Sequence, residues 1–351
     1  MAGGVFPGGT ACIAFREGAE AAFSVAHAGK LSYIAPAQVR DDTPYDLASL
    51  TKPVVAMCAL RLVARGIIEL DARADSILSD VRGGGAGGAT LEQLLTHRSG
   101  LAPWGGLYLD VPHEAGSPAA RRWIVSEASR RMEEPVDGKA VYSDLGYIIA
   151  GEMIARAAGE SLDEVVRTEI GEPLNIASEL FFPGAMPSDK RAELVRRAAP
   201  TERCEWRGRV VRGEVHDENC SALGGVSGHA GLFGNARAVA VFGRAVLDSL
   251  AGRSELLARE ALVAALAARP GGSQRLGWDV KSTEPSAAGR RMGPQTFGHL
   301  GYTGTSIWCD PIRDVVVVLL TNRVHPSRAN EKIKGFRPAF HDGVVAAWDE
   351  G

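Results

Sequence analysis

A hydroxyl and an amine stand three residues apart in Ser49-Leu50-Thr51-Lys52. On a helix that spacing sets the two side chains next to each other, so the amine can take the hydroxyl proton as the oxygen attacks a carbonyl carbon. Such chemistry needs a Lys52 that is neutral or shares its proton, with a pKa lowered from ~10.4 by desolvation or by a second cation. A helix N-terminus at Ser49 would favour the negative charge that develops there. Taken alone, the motif also fits a helix cap followed by a surface lysine. Its context favours chemistry: Pro53 suits an early helical position, and the following run is apolar, so a lysine in its first turn has few structural reasons to be there.

The elements that must position this pair follow from periodicity. Val54, Val55, Met57, Cys58, Leu60, Leu62 and Val63 recur at helix-face spacing until Gly66, which places Ser49 at a helix N-terminus. Residues 10–16 and 20–27 are apolar segments around Glu17-Gly18-Ala19 and predict a hairpin. The glycine cluster 83–88 predicts a flexible loop, and Thr90 with Gln93 predicts a capped helix start. Helical patterns follow at 119–131, 146–158, 161–170 and 236–250, the last capped by Asn235. Residues 304–309 and 315–321 are strand-like on either side of a turn at 310–314. The sheet thus begins in the first segments and is completed by the last, around a helical insertion. This assigns 1–79 and 219–351 to a discontinuous sheet domain and 80–218 to a helical domain, with a cleft between them.

A chain of 351 residues is long enough for two core-forming lobes, because single cores stop growing at ~250 to 300 residues. The formal net charge of −3 supplies no basic field for a phosphate backbone, which argues against a nucleic-acid partner. No run of ~18 apolar residues and no secretory leader pattern is present, so no membrane partner and a cytoplasmic location are expected. The five cysteines are scattered and lack a CxxC pair, which predicts reduced, buried thiols and neither a zinc knuckle nor a disulfide framework. No GxSxG elbow surrounds any serine, which removes the α/β-hydrolase alternative.

DLASLTKPVVA, YSDLGYIIAGEMI and HLGYTGTSIW occur in that order and resemble the three motifs of the serine β-lactamase and penicillin-binding protein superfamily, class C-like branch. LLTHRSGL, GGVSGHAGLFG and LLTNRVHP resemble further segments of that branch, so the likeness runs from about Phe6 to Pro326. The resemblance implies an α+β fold of the β-lactamase/transpeptidase type, an antiparallel sheet flanked by helices with an inserted helical domain. It also implies a serine hydrolase with Ser49 as nucleophile and Lys52 and Tyr142 as proton carriers. Tyr142-Ser143-Asp144 occupies the place of Tyr-x-Asn, and Asp144 should by attraction keep Lys52 protonated, which shifts weight towards Tyr142 as the base. His299-Leu300-Gly301 stands where the family has Lys-Thr-Gly or His-Thr-Gly. There Gly301 admits substrate to the edge strand, His299 polarises the site, and Leu300 offers no hydroxyl to a substrate carboxylate. The amides of Ser49 and Tyr302 correspond to the oxyanion hole.

His229 corresponds to the turn opposite that strand, a substrate contact, and His97 to a structural turn. Asp144, His299, Gly301 and His229 therefore make up the expected substrate-binding set. Residues 216–219, His-Asp-Glu-Asn, read as a polar loop and not as metal ligands. Trp104, Tyr108 and Trp123 are candidates for an apolar wall, and Arg323 for an anionic substrate group or a surface ion pair. The expected activity is hydrolysis of an ester or amide in a small-molecule or peptide acyl substrate, without metal or cofactor. The alternatives are a β-lactamase or DD-carboxypeptidase of the same fold, and a penicillin-binding or sensory protein that is acylated without turnover. The oligomeric state is left open.

Overall fold

The computed structural model describes residues 4–34, 36–283 and 285–350. Its strands are β1 (Gly8–Glu17), β2 (Glu20–Gly29), β3 (Tyr45–Asp46), β4 (Leu180–Phe181), β5 (Arg203–Cys204), β6 (Arg209–Val210), β7 (Phe233–Gly234), β8 (Asp279–Val280), β9 (Phe297–Gly301), β10 (Thr305–Asp310) and β11 (Val315–Thr321). Six of them form one antiparallel sheet in the order β2-β1-β11-β10-β9-β8, so the first strands and the last are neighbours. The β1–β2 hairpin turns at Gly18, whose φ of +61° is cheap only without a Cβ. The β10–β11 turn is held by the Asp310 carboxylate, which accepts from the amides of Ile312 and Arg313. β8 pairs only with Phe297 and Gly298, which leaves the edge of β9 open at His299, Leu300 and Gly301.

Burial on both faces explains the continuous apolar run of β11. Val316, Val318 and Leu320 join the large core beneath the Ala236–Leu250 helix. Val315 and Val317 alternate to the other face, where Trp308, Met292 and Val345 of the Ile333–Glu350 helix cover them. That C-terminal helix lies outside the sequence expectations because Gly335, Pro338 and Gly343 interrupt its helical signal.

The Thr51–Ala64 helix is buried on nearly every side from Thr51 to Leu60, as a central core helix must be. It joins the sheet to the helical region in one apolar cluster that runs from Cys12 and Ile307 through Val55 to Leu145 and Ile149. The cysteines are free and buried. Thr90 and Gln93 form a reciprocal capping box, with Thr90 N to Gln93 Oε1 at 2.8 Å and Gln93 N to Thr90 Oγ1 at 3.3 Å. The 83–88 segment differs from the flexible loop expected. Gly85–Gly88 makes a tight 3₁₀ turn, Ala86 is fully buried, and its amide bonds Ser129 O at 2.9 Å, because small residues here let the backbone pack under the Pro118–Ala128 helix.

Gly228 and Gly151 bring the 227–229 loop onto the Asp144–Ala158 helix. A Cβ on Gly228 would collide with the Tyr147 carbonyl and lie 3.0 Å from the Gly151 Cα. Gly228→Ala should therefore destabilise the fold by about 1–3 kcal/mol through overpacking against backbone that cannot yield. Urea denaturation checks this, and an unchanged midpoint would show that the loop has slack.

Candidate active site

Ser49 sits in a 3₁₀ turn, Ala48–Leu50, that leads into the Thr51–Ala64 helix. The turn starts from a left-handed residue, Ala48 at φ +47°, a conformation that costs an alanine free energy and must be held by its surroundings. The Asp46 side chain holds it through Ala48 N at 2.8 Å, and its other oxygen accepts from His216 N at 2.6 Å. Thr303 Oγ1 and Thr305 Oγ1 donate to the carbonyls of Asp46 and Leu47 at 2.7 and 3.0 Å, pinning the same turn to the β9–β10 connection.

Three residues on, the Lys52 side chain is fully buried. Its Nζ donates to Ser49 Oγ at 2.9 Å, Asp144 Oδ1 at 2.6 Å and the His229 carbonyl at 3.1 Å. Tyr142 arrives from the loop before the Asp144–Ala158 helix, which Ser143 caps by accepting from Gly146 N. The Tyr142 hydroxyl interacts with both Ser49 and Lys52, and Lys52 Nζ lies 5.0 Å from its ring centre. The structure thus brings together the hydroxyl, the amine and the phenol from two distant stretches of chain, with Asp144 as a fourth member.

Electrostatics sets where the protons rest. Burial opposes a charge on Lys52, but Asp144 and Tyr142 together outweigh it and raise its pKa above 10.5, so the amine is an ammonium at neutral pH. Tyr142 shows 37% of its surface to the cleft, yet desolvation around its enclosed hydroxyl outweighs the nearby Lys52 charge and raises its pKa above 10. The phenolate base weighted from the sequence is therefore not the resting form. His299 is buried beside Lys52, and both effects lower its pKa to about 3, so the strand histidine is a neutral imidazole whose Nδ1 lies 3.0 Å from Leu300 O.

Several expected contacts take other parts. The His229 imidazole is 1% exposed and held between Ser227 Oγ at 2.9 Å and Asp217 Oδ1 at 2.8 Å, so His229 meets the chemistry through the carbonyl that grips Lys52. Asp144 pairs with Lys52. At Gly301 a Cβ would lie 2.6 Å from the Leu47 carbonyl and overlap Thr305, so the glycine serves close packing of β9 on the nucleophile turn. The local backbone bonds run from Leu50 N to Leu47 O and from Gly304 N to Gly301 O, bypassing the amides of Ser49 and Tyr302.

Sequence reading missed two supports. His97, at φ +60°, accepts from Ser143 N at 2.9 Å and packs its ring 4.5 Å from that of Tyr142, which positions the phenol. The resemblance of LLTHRSGL implied a structural turn at His97 but not this contact. Residues 216–219 are a structured wall and not a solvated loop. His216 pairs with Glu202, Asp217 caps the Glu218–Ala222 helix, Glu218 pairs with Arg328, and Asn219 bonds Gly105 O and Tyr108 N. Trp104 lines the cleft at 47% exposure, whereas Trp123 packs on the core. Arg323 makes no ion pair among the described residues and lies 4.5 Å over the Tyr302 ring. No group of three His, Cys, Asp or Glu side chains among the described residues is arranged to hold a metal ion.

An antiparallel sheet flanked by helices, with a serine at the foot of a buried central helix, is the architecture of the β-lactamase and transpeptidase class of serine hydrolases. The chain belongs to the Beta-lactamase family, whose model matches residues 14–336. It is 30% identical over 312 residues to a putative D-alanyl-D-alanine carboxypeptidase of Escherichia coli K12, covering 83% of this chain and 71% of that protein. It is also 30% identical over 325 residues to an N-acetylmuramyl-L-alanine amidase of Bacillus subtilis, covering 83% and 70% of the two chains. The crystal structure of a class C β-lactamase from Rhodobacter sphaeroides superposes with a TM-score of 0.69 at 21% identity, covering 96% of this chain and 95% of that one, a likeness of fold.

The Lys52–Asp144 pair has a stability signature. Because the folded-state pKa of Lys52 lies above its unfolded value of 10.5, the contribution is complete below that pH and lost only as pH rises through the folded-state pKa. Asp144→Asn strands a buried ammonium, which should cost about 3 kcal/mol at pH 7, the low end for such a break because the Asp144 side chain keeps 21% exposure. In the variant burial prevails and Lys52 can lose its proton, so the deficit should shrink towards pH 10.5. Denaturant titrations at pH 7 and 9.5 check the trend, and an equal deficit at both would refute it.

Proposed function

We propose that the protein hydrolyses amide bonds of small peptide-like substrates through an acyl-enzyme on Ser49, with activated esters as surrogates. The observation that carries this reading is the Ser49–Lys52–Asp144 line, 2.9 and 2.6 Å long, beside a protonated phenol. The names of two relatives, a carboxypeptidase and an amidase, support an amide over an ester.

With Lys52 and Tyr142 both protonated at rest, the open proton acceptor in the group is the Asp144 carboxylate. As Ser49 Oγ attacks the carbonyl carbon, its proton passes to Lys52 Nζ while Lys52 gives one to Asp144 Oδ1, and the oxyanion forms against the amides of Ser49 and Tyr302. Tyr142 then protonates the leaving amine as the C–N bond breaks. In the second half the Tyr142 phenolate takes a proton from water, the hydroxide attacks the acyl carbon, and Ser49 recovers its proton through Lys52 from Asp144. Every proton is back where it began.

Ser49→Ala should abolish turnover. Tyr142→Phe separates the roles of the phenol, since p-nitrophenolate leaves without a proton. With p-nitrophenyl acetate that variant should keep its acylation burst and lose steady turnover by ~10² or more, while amide hydrolysis falls at the first step. Stopped-flow release of p-nitrophenol reads both phases; loss of the burst would make Tyr142 the acylation base and discard the Asp144 route.

A further inference from the structure

Two cavities meet at the nucleophile, and Ser49, Tyr142 and Tyr302 line both. The first, about 400 Å³, has Asp144, Asp217 and Glu218 in its wall, with Trp104 and Tyr142 turning exposed ring surface into it. Its carboxylates outnumber their cations. Asp144 pairs with Lys52 and Asp217 with His229, while Glu202 and Glu218 share the single guanidinium of Arg328 and Glu202 also meets His216 behind the wall. Asp144 and Asp217 both make their internal hydrogen bonds through Oδ1, and each side chain keeps 21% exposure. Free carboxylate oxygens beside aromatic faces form a seat for an ammonium group.

The second cavity, about 450 Å³, has the opposite sign. Arg323, Lys334 and Arg337 line it against Asp279 and Glu331; Lys334 holds Glu331 at 2.7 Å, and neither arginine makes an ion pair with a carboxylate among the described residues. Arg337, more than nine-tenths buried, donates to Gly301 O and Thr305 O at 2.7 Å each, and its buried Nε has no partner. Arg323 donates only to the carbonyls of Tyr302, Arg328 and Asn330. The two guanidinium groups repel each other, and burial together with Arg323 brings Arg337 down to about 10. Arg323 lies in the field of Glu331, but with Arg323, Lys334 and Arg337 facing Asp279 and Glu331 the wall keeps an excess of positive charge, and two arginines without a bonded carboxylate favour an anion that joins them.

We propose that the cleft selects zwitterionic substrates, short peptides with both termini free, seating the ammonium in the Asp144–Asp217 cavity and the carboxylate in the Arg323–Arg337 cavity. A dipeptide satisfies this geometry by its own covalent order, since its amide lies between its two charged ends and is thereby delivered to Ser49. The inference rests on the amide-hydrolase reading above and narrows it: N-acylated peptides and peptide amides lose one anchor each.

The test compares kcat/KM for one dipeptide in four forms, free, N-acetylated, C-amidated and blocked at both ends, in the L,L and the D,D series, with p-nitrophenyl acetate as a charge-free reporter. The free form of the accepted series should exceed each singly blocked form by ~10-fold or more and the doubly blocked form by ~100-fold, the range of one and two charge-assisted contacts. Arg337→Gln should bring the ratio of free to amidated substrate towards one while preserving the penalty for N-acetylation, and Asp217→Asn should do the reverse. These ratios are internal to each variant, so partial misfolding does not mimic them. A flat series, no peptide cleavage, or an Arg337→Gln that lowers all four forms alike would overturn the proposal while Ser49-dependent ester turnover continued. Absence of both ester turnover and a Ser49 adduct would bring down the hydrolase reading as well.

Discussion

A positive charge with no solvent around it governs this structure. The ammonium of Lys52 is fully enclosed, and taking such an ion out of water costs several kcal/mol even after the protein relaxes. Its compensation comes from three separate stretches of chain: Ser49 one turn away, the Asp144 carboxylate from the start of a helix in the inserted region, and the His229 carbonyl from the loop that returns to the sheet. The faces of Tyr142 and Tyr147, 5.0 and 5.5 Å away, complete the shell. Much of the surrounding architecture serves to deliver these groups. Ser143 caps the helix that carries Asp144, Gly228 lies directly on that helix so that the next carbonyl reaches the amine, and Asp217 orients the His229 ring from behind.

The carboxylate at 144 changes the chemistry as well as the stability. A neutral amide there would leave the lysine to settle its charge by losing a proton, which makes an amine base. A carboxylate keeps the ammonium and, in the mechanism proposed above, becomes the acceptor one bond further along, so that the lysine conducts a proton without storing the vacancy. The same charge reaches Tyr142, where Asp144 adds to desolvation in holding the phenol protonated against the pull of Lys52. The environment thus holds Lys52 and Tyr142 protonated while Asp144 supplies the negative charge beside them.

How much of this was legible depended on whether a local rule carried the information. Helix-face periodicity in 54–63, the Thr90–Gln93 cap and the apolar run 315–321 are local signals, and the corresponding elements form where they predict. The ordered motifs placed Ser49, Lys52 and Tyr142 in one proposal before any distance was known. What escaped was set by tertiary packing. Residues 216–219 read as a polar loop because every side chain is polar, and only the fold reveals that Glu202, Arg328, His229 and Gly105 meet them. The 83–88 glycines look flexible for lack of side chains, yet that lack is what lets them pack under a helix. The direction in which the His229 ring points was likewise invisible, because it is decided by Ser227 and Asp217 together.

β9 shows how charge on the edge-strand side of the cleft comes from an outer helix and not from the strand itself. Strand alternation sends His299 and Gly301 towards the nucleophile turn and turns Leu300 towards the cluster around Trp308 and Val317. With an apolar side chain there and a neutral imidazole beside it, the strand itself has no charge to present to a substrate. The C-terminal helix supplies it: Arg337 crosses to the carbonyls of Gly301 and Thr305, bracing the edge of the strand and carrying a cation to the cavity beside it. Arg337 makes its hydrogen bonds to the carbonyls of Gly301 and Thr305, whereas Lys52 makes its own to Ser49, Asp144 and His229. On the proposed reading, substrate preference and bond-breaking chemistry are carried by different hydrogen-bonded groups, the first by the Arg337 side of the cleft and the second by the enclosed ammonium and its three partners.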